Sequence, residues 1–343
     1  MAAPATPSRI LPRSNFHAAN TPTTTERLVG ASKPPDAEPL ATPAYQEAED
    51  FTHPDHVIPP QSYAGIENLV IICCHAIFHP DPLSPDFPLH APFDENNWYL
   101  APFQRSNPET GKPGEHETFV AHALAGVDVL SSGPSAEATL LVMSGGPTKG
   151  SLTSLSEARS YYHAALAQEL AQGNQGGGRA SQLFSKGRIL LEEHATDSFQ
   201  NLIFSILLFR RTTGRYPKQV RVITHAFKAK RFLDLHAPAI RWPSERIQVQ
   251  GIDPVMSSVE REETVEGEEQ YGYAPWLEDP LGIGKVLASK RRDRGWDENM
   301  AKQLAEGLED SVKKLLEGTI SEALPWDSTT SVAALETSPD AAQ

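Results

Sequence analysis

Between residues 66 and 253 the chain alternates short apolar runs with longer stretches whose apolar residues recur every three or four positions. The runs are Leu69–Cys74 (LVIICC), Thr139–Met143 (TLLVM), Arg188–Leu191, Val220–Ile223 and Ile247–Ile252. A run that is apolar at nearly every position suits a strand covered on both faces. The intervening stretches read as helices. Glu117–Leu130 places Phe119, Ala123 and Val127 on one face. Ser154–Leu170 opens with Ser154 as N-cap and Glu157 three residues on, the pattern of a capping box. Ser198–Thr213 is capped by Asp197, and a basic helix carrying Lys228, Lys230 and Arg231 follows Val220–Ile223. A last amphipathic helix spans Asp297–Leu316, capped by Asp297. Helices between successive strands imply right-handed crossovers. The expected fold is therefore α/β, a Rossmann-like three-layer sandwich with a mainly parallel sheet.

Five segments depart from this rhythm. The Pro-rich stretch 78–114 carries Trp98, Tyr99 and Phe103 and reads as an ordered excursion. The Gly-rich stretch 173–178 reads as a flexible surface loop, and 254–275 as a solvated acidic loop, with six glutamates between Glu260 and Glu269. Residues 1–60 and 327–343 are rich in Pro, Thr, Ser and Ala and read as disordered tails. What remains is one domain, 66–320, of about 250 residues, enough for a full core.

Composition narrows the function. The 343-residue chain has a formal net charge of -14, against a general nucleic-acid binder, which needs a basic face. The two cysteines, Cys73 and Cys74, are adjacent within an apolar strand and read as reduced core thiols of a cytoplasmic protein. No apolar run reaches the ~18 residues of a membrane span. Arg9 and Arg13 without an acid hint at a transit peptide, but the prolines at 4, 7 and 12 spoil an amphipathic helix there.

The strand ends carry the candidate chemistry. In a parallel sheet His75, Ser144-Gly145-Gly146, Glu192, Thr224-His225 and Asp253 all fall on one edge, where ligands bind in open α/β folds. The glycines at 145 and 146 would let backbone N–H groups approach an anion at a helix start. Glu157 lies at that helix, as a cap or turned back to the ligand. Asn201 within an apolar helical stretch needs buried partners. His225 is the candidate general acid or base with Glu192, and Arg231 a clamp for carboxylate or phosphate. Neither the Walker nor the Gly-x-Gly-x-x-Gly fingerprint is present, and Ser144 lacks a nucleophile-elbow pattern. His75, His79 and His90 with Asp81, Asp86 and Asp94 match no tight metal spacing, so no metal is expected.

The order of these motifs resembles domain-of-unknown-function family 218, the YdcF/SanA/ElyC-like proteins. The residues carrying it are Ser144-Gly145-Gly146, Ser156-Glu157-Ala158, Glu192, Ser198-Phe199-Gln200-Asn201, and Thr224-His225 through Arg231. The resemblance covers about 66–253 and implies a Rossmann-like fold. It adds S-adenosylmethionine to the possible ligands. The chain departs from the bacterial members in lacking their membrane anchor and in carrying Cys74-His75-Ala76 where they have a glycine-rich turn. It is closer to a soluble fungal branch. The expectation is a small anionic or nucleotide-like ligand at the sheet edge, bound by an enzyme or by a sensing module. The excursion is the candidate surface for an unknown protein partner.

Overall fold

The computed structural model describes residues 62–79 and 91–327. The expected tails, Asp327 apart, and residues 80–90 of the excursion lie outside them. Five parallel strands form the sheet: β1 (Asn68–Cys73), β4 (Thr139–Ser144), β5 (Ile189–Glu192), β6 (Gln219–Thr224) and β7 (Ile247–Gly251). Their order is β5-β4-β1-β6-β7. The short β2 (Ile77–Phe78) and β3 (Trp98–Tyr99) pair antiparallel within the excursion, where the Trp98 indole donates to the Pro92 carbonyl at 2.7 Å.

The sheet is covered on both faces, as the continuous apolar runs imply. Val70, Ile72, Leu141, Met143 and Ile223 pack under α1 (His116–Ser132), α2 (Glu157–Ala171) and α3 (Gly178–Ser185). Leu69, Ile71, Cys73, Leu140, Val142, Val220 and Val222 pack on the other face, against α4 (Ser198–Thr213) and the segment holding Phe232 and Ile240. Alternate residues of β1 thus feed opposite layers. Each large apolar side chain so buried contributes about 1.5–3 kcal/mol. This is the expected three-layer α/β architecture.

Several local expectations need correction. Ser156, not Ser154, caps α2, its hydroxyl accepting from Arg159 N at 3.0 Å, so Glu157 is the first helical residue and completes no capping box. The carbonyls of Gly146 and Gly145 accept from Glu157 N and Ala158 N, which ties the helix start to the β4 turn. The Gly-rich stretch is a short 3-10 turn with Gly176, Gly177 and Gly178 at positive φ, and it leads directly into α3. The acidic run is helical: α5 (Ser258–Gly267) has a true capping box between Ser257 and Glu260, followed by a π-helical turn, Glu268–Tyr273. Glutamate is a good helix former, and here much of the run still faces solvent. The basic stretch after β6 is a 3-10 turn, Ala226–Lys228, then a π-helical turn, Arg231–His236. Beyond α6 (Lys285–Asp293), the final helix breaks at Gly307 into α7 (Glu298–Ala305) and α8 (Asp310–Leu316). Asp197 and Asp297 cap α4 and α7 as expected.

Candidate functional site

From β1 the chain moves outward to β4 and then β5. α4 carries it back past β1 to β6 and β7 on the other side. The direction of winding therefore reverses between β1 and β6, and a ligand crevice opens at the carboxyl ends of such a pair. Here that position holds His75, just past β1, and Thr224 and His225, at the end of β6. His75 Nε2 lies 3.2 Å from Thr224 Oγ1. The His75 and His225 rings stack with centroids 4.7 Å apart, and His122 from α1 meets His225 edge-on at 5.0 Å. Phe227 covers the other face of His225 at 4.7 Å. The Lys228 amine stands 3.5 Å from His75 Nδ1. Glu115 Oε2 approaches His225 Nε2 at 3.9 Å.

Burial and neighbouring cations set the charges of this cluster. His75 and His225 are held well below the ordinary imidazole range, first by burial and then by the charge on Lys228. Burial takes His122 down to about 4. The imidazoles are thus neutral at pH 7. Lys228 is lowered to about 8 by burial and by Arg231, with Glu268 and Glu115 opposing. Burial raises the Glu115 carboxyl. Arg231 itself is ion-paired to Glu268 at 3.2 Å and donates to the Gly272 carbonyl at 3.3 Å. Lys228 has no such carboxylate partner among the described residues. Both ring nitrogens of His225 are buried without a hydrogen-bond partner.

A second polar group lies on the same edge but over the opposite face. Ser144 is in register with Cys73 and with Glu192, so all three side chains point toward α4. Ser144 Oγ lies 2.5 Å from Glu192 Oε2 and 3.1 Å from Asn201 Oδ1. Glu192 Oε1 also accepts from His194 N at 2.8 Å and Ala195 N at 3.1 Å. Burial nevertheless pushes Glu192 up to about 7, with the Ser144, His194 and Ala195 hydrogen bonds opposing.

No protein-family model matches the chain. It is 26% identical over 306 residues to the uncharacterised protein YOR238W of Saccharomyces cerevisiae, covering 76% of this chain and 97% of the relative. No solved structure matches. The chemistry must therefore be read from the geometry.

Of the residues expected at the site, His75, Thr224 and His225 come together, with Arg231 close enough to act on their charge. Glu192 does not join them. It closes the turn after β5 and shares no hydrogen bond with His225, whose carboxyl neighbour is Glu115. Nor do Gly145 and Gly146 offer an anion cradle: their N–H groups already donate to the carbonyls of Glu192 and Ala195. They are glycines because the turn is crowded. A Cβ on Gly145 would sit 2.8 Å from the Glu157 Cβ, and one on Gly146 3.1 Å from the Ala195 carbonyl. Gly145→Ala is expected to lower stability by about 1–3 kcal/mol in a urea melt without abolishing the fold. Glu157 accepts from Thr148 Oγ1, and burial raises its carboxyl against the charges of Arg294, Lys149 and Lys228. Asn201 holds Ser144, as a buried amide must.

Sequence reasoning missed His122, Lys228 and Glu115. His122 lies one turn beyond Phe119 on the apolar face of α1, where a histidine is the exception, and that was the available signal. Glu115 had none. Of the residues weighed as metal ligands, Asp94 caps the Glu95–Asn97 turn, His79 stacks on Tyr99 at 3.8 Å, and Asp81, Asp86 and His90 lie outside the described residues. Among the described residues no group of His, Cys, Asp or Glu is arranged to hold a metal, and no helix is long and apolar enough to cross a membrane. A cleft of about 380 Å³ lies apart from the imidazoles, between α4 and the C-terminal helices, lined by Phe199, Leu281, Arg291 and Trp296 among others. Of its cations, Arg291 and Lys313 are paired to Asp197 and Asp310, while Arg292 and Lys302 stand in its wall with Glu298 and Glu317.

Proposed function

We propose that the chain binds a small anion, carrying phosphate or carboxylate, in the crevice between β1 and β6. Lys228 supplies the charge, and His75, Thr224 and His225 supply neutral donors and acceptors. One observation carries this reading. A half-buried lysine faces imidazoles rather than a carboxylate, beside a second cation, in a chain of net charge -14. A cation so placed is costly without a counter-charge, and a bound anion supplies one. His225, with both nitrogens unpartnered, is the group that would exchange a proton with such a ligand, and Glu115 is its carboxyl neighbour. The cations disfavour the positively charged sulfonium of S-adenosylmethionine and favour a nucleotide or other phosphorylated or carboxylated metabolite. The resemblance of Thr224-His225 through Arg231 to family 218 agrees with a ligand at this edge.

Calorimetric titration tests the reading, with sulfate as a probe because its charge is constant over the range used. Affinity is expected to stay level between pH 6 and 7, where the imidazoles are already neutral, and to fall as pH rises through about 8 and Lys228 loses its proton. Binding that instead collapsed between pH 6 and 7 would assign the charge to histidine. No binding at any pH, by sulfate, phosphate or adenosine monophosphate, would leave the cluster structural.

A further inference from the structure

A second pair of side chains, apart from the imidazole cluster, has the geometry of a nucleophile and its base. α4 opens on Ser198 immediately after its cap Asp197. Ser198 Oγ lies 2.7 Å from His236 Nε2. That is within the range at which a neutral imidazole takes a hydroxyl proton. The His236 ring is fully buried and fixed edge-on by three aromatic rings, Trp276 at 4.6 Å, Phe232 at 5.3 Å and Phe199 at 5.8 Å. Its partner Ser198 is partly exposed.

The backbone around Ser198 completes the arrangement. Asp197 accepts from Gln200 N with its side chain at 2.9 Å and from Asn201 N with its carbonyl at 2.9 Å. The N–H groups of Ser198 and Phe199 therefore stand ahead of the first intrahelical bond of a 16-residue helix. The N–H after a nucleophile at a strand–turn–helix junction is where an acyl oxyanion is held. β5, the turn 193–197 and α4 form such a junction. Ser198 satisfies Nε2 alone: His236 Nδ1 is buried without a partner, so the tautomer that accepts from Ser198 holds its proton on Nδ1. Burial first, and then the charges of Arg231 and Arg291, hold the imidazole well below its ordinary range, so it stands neutral at pH 7 with Nε2 able to accept.

We infer that Ser198 and His236 form a nucleophile–base pair for acyl transfer from a carboxylic ester. Ser198 Oγ bonds to the acyl carbon while its proton passes to His236 Nε2. The tetrahedral oxyanion faces the Phe199 N–H. The C–O bond to the alcohol then breaks, and the alcohol leaves with the proton from His236. Water repeats the sequence on the acyl-serine, losing a proton to His236 and releasing the acid and free Ser198.

The test is labelling of the full-length protein with a fluorophosphonate probe, the adduct being located by peptide mass spectrometry. The expected result is one dominant adduct on Ser198, absent from Ser198→Ala. Labelling should be slower by about 10²- to 10⁴-fold in His236→Gln. If His236→Gln does not fold, Ser198→Cys replaces it. A thiol paired with His236 should react with iodoacetamide well below the pH an isolated cysteine needs. An unlabelled Ser198 in folded wild type overturns the inference, as does equal labelling in His236→Gln or an ordinary pH profile for Ser198→Cys. Sulfate binding is expected to survive Ser198→Ala, so the anion site and this pair stand or fall separately.

Discussion

Replacing Lys228 by methionine is expected to stabilise the fold at pH 7 while abolishing anion binding. The two effects have one cause. The amine is lowered to about 8 from 10.5 because the folded protein buries it beside Arg231 without giving it a carboxylate. Between those values the unfolded chain carries a proton on Lys228 that the folded chain does not, so stability rises with pH across that window. Below about pH 8 the cost of the buried charge is fully present. Methionine keeps the length and the apolar stem and removes the charge, so Lys228→Met should gain about 1–3 kcal/mol in a chemical melt at pH 7. The gain should shrink toward pH 10. A residue kept for packing or for an ion pair would lose stability on the same change. A site residue held against stability behaves as Lys228→Met is predicted to.

Glu192→Gln is expected to remove a different pH dependence. The folded protein raises Glu192 to about 7 from 4.5. Between those values the folded chain holds a proton that the unfolded chain has released, so the contribution of Glu192 is full below about pH 4.5 and is lost as pH rises through about 7. Burial is why the proton is retained, and the hydrogen bonds around Glu192 accommodate it. Ser144 has one hydroxyl hydrogen but faces both Glu192 Oε2 and Asn201 Oδ1. When Glu192 is protonated it donates to Ser144, and Ser144 donates to Asn201. Glutamine reproduces that chain with its amide, while its carbonyl keeps accepting from His194 N and Ala195 N. The variant should exceed wild type by about 2 kcal/mol at pH 8 in urea melts, match it near pH 5, and lose little of the anion affinity. Glu192→Ala strands the same donors and should cost about 3–5 kcal/mol at any pH. If Glu192→Gln instead destroyed sulfate binding, Glu192 would belong with His225 after all.

The expectations that held are those resting on local pattern. Alternating apolar runs located all five sheet strands to within a residue or two, and Asp197 marked the start of α4. The polar strand ends do gather on one edge. What the pattern could not supply was the face each end serves. A side-chain period of two sends Ser144 and Glu192 toward α4, while His75 and His225 meet α1, so residues close along the edge are chemically apart. Glu115 and His122 reach the cluster from α1 through long-range packing, which leaves no trace in a local window. The Ser-Gly-Gly turn looked like an anion cradle because glycine permits close approach. Here the approaching groups are Glu157 and the 194–195 backbone. The acidic run misled for a related reason: charge density describes solvation, and the Ser257–Glu260 capping box decides conformation.

The most direct test of the account is the titration of the Lys228 ammonium itself. Protein labelled with ¹³C at lysine Cε gives one NMR signal per lysine, and the signal missing from Lys228→Met identifies the residue. The expected midpoint is near 8 for the free protein, moving toward 10.5 when sulfate or adenosine monophosphate is added, because the bound anion stabilises the charged amine. A Lys228 that titrates at its ordinary value, or whose midpoint does not move with either anion, would contradict the claim that this crevice is an anion site.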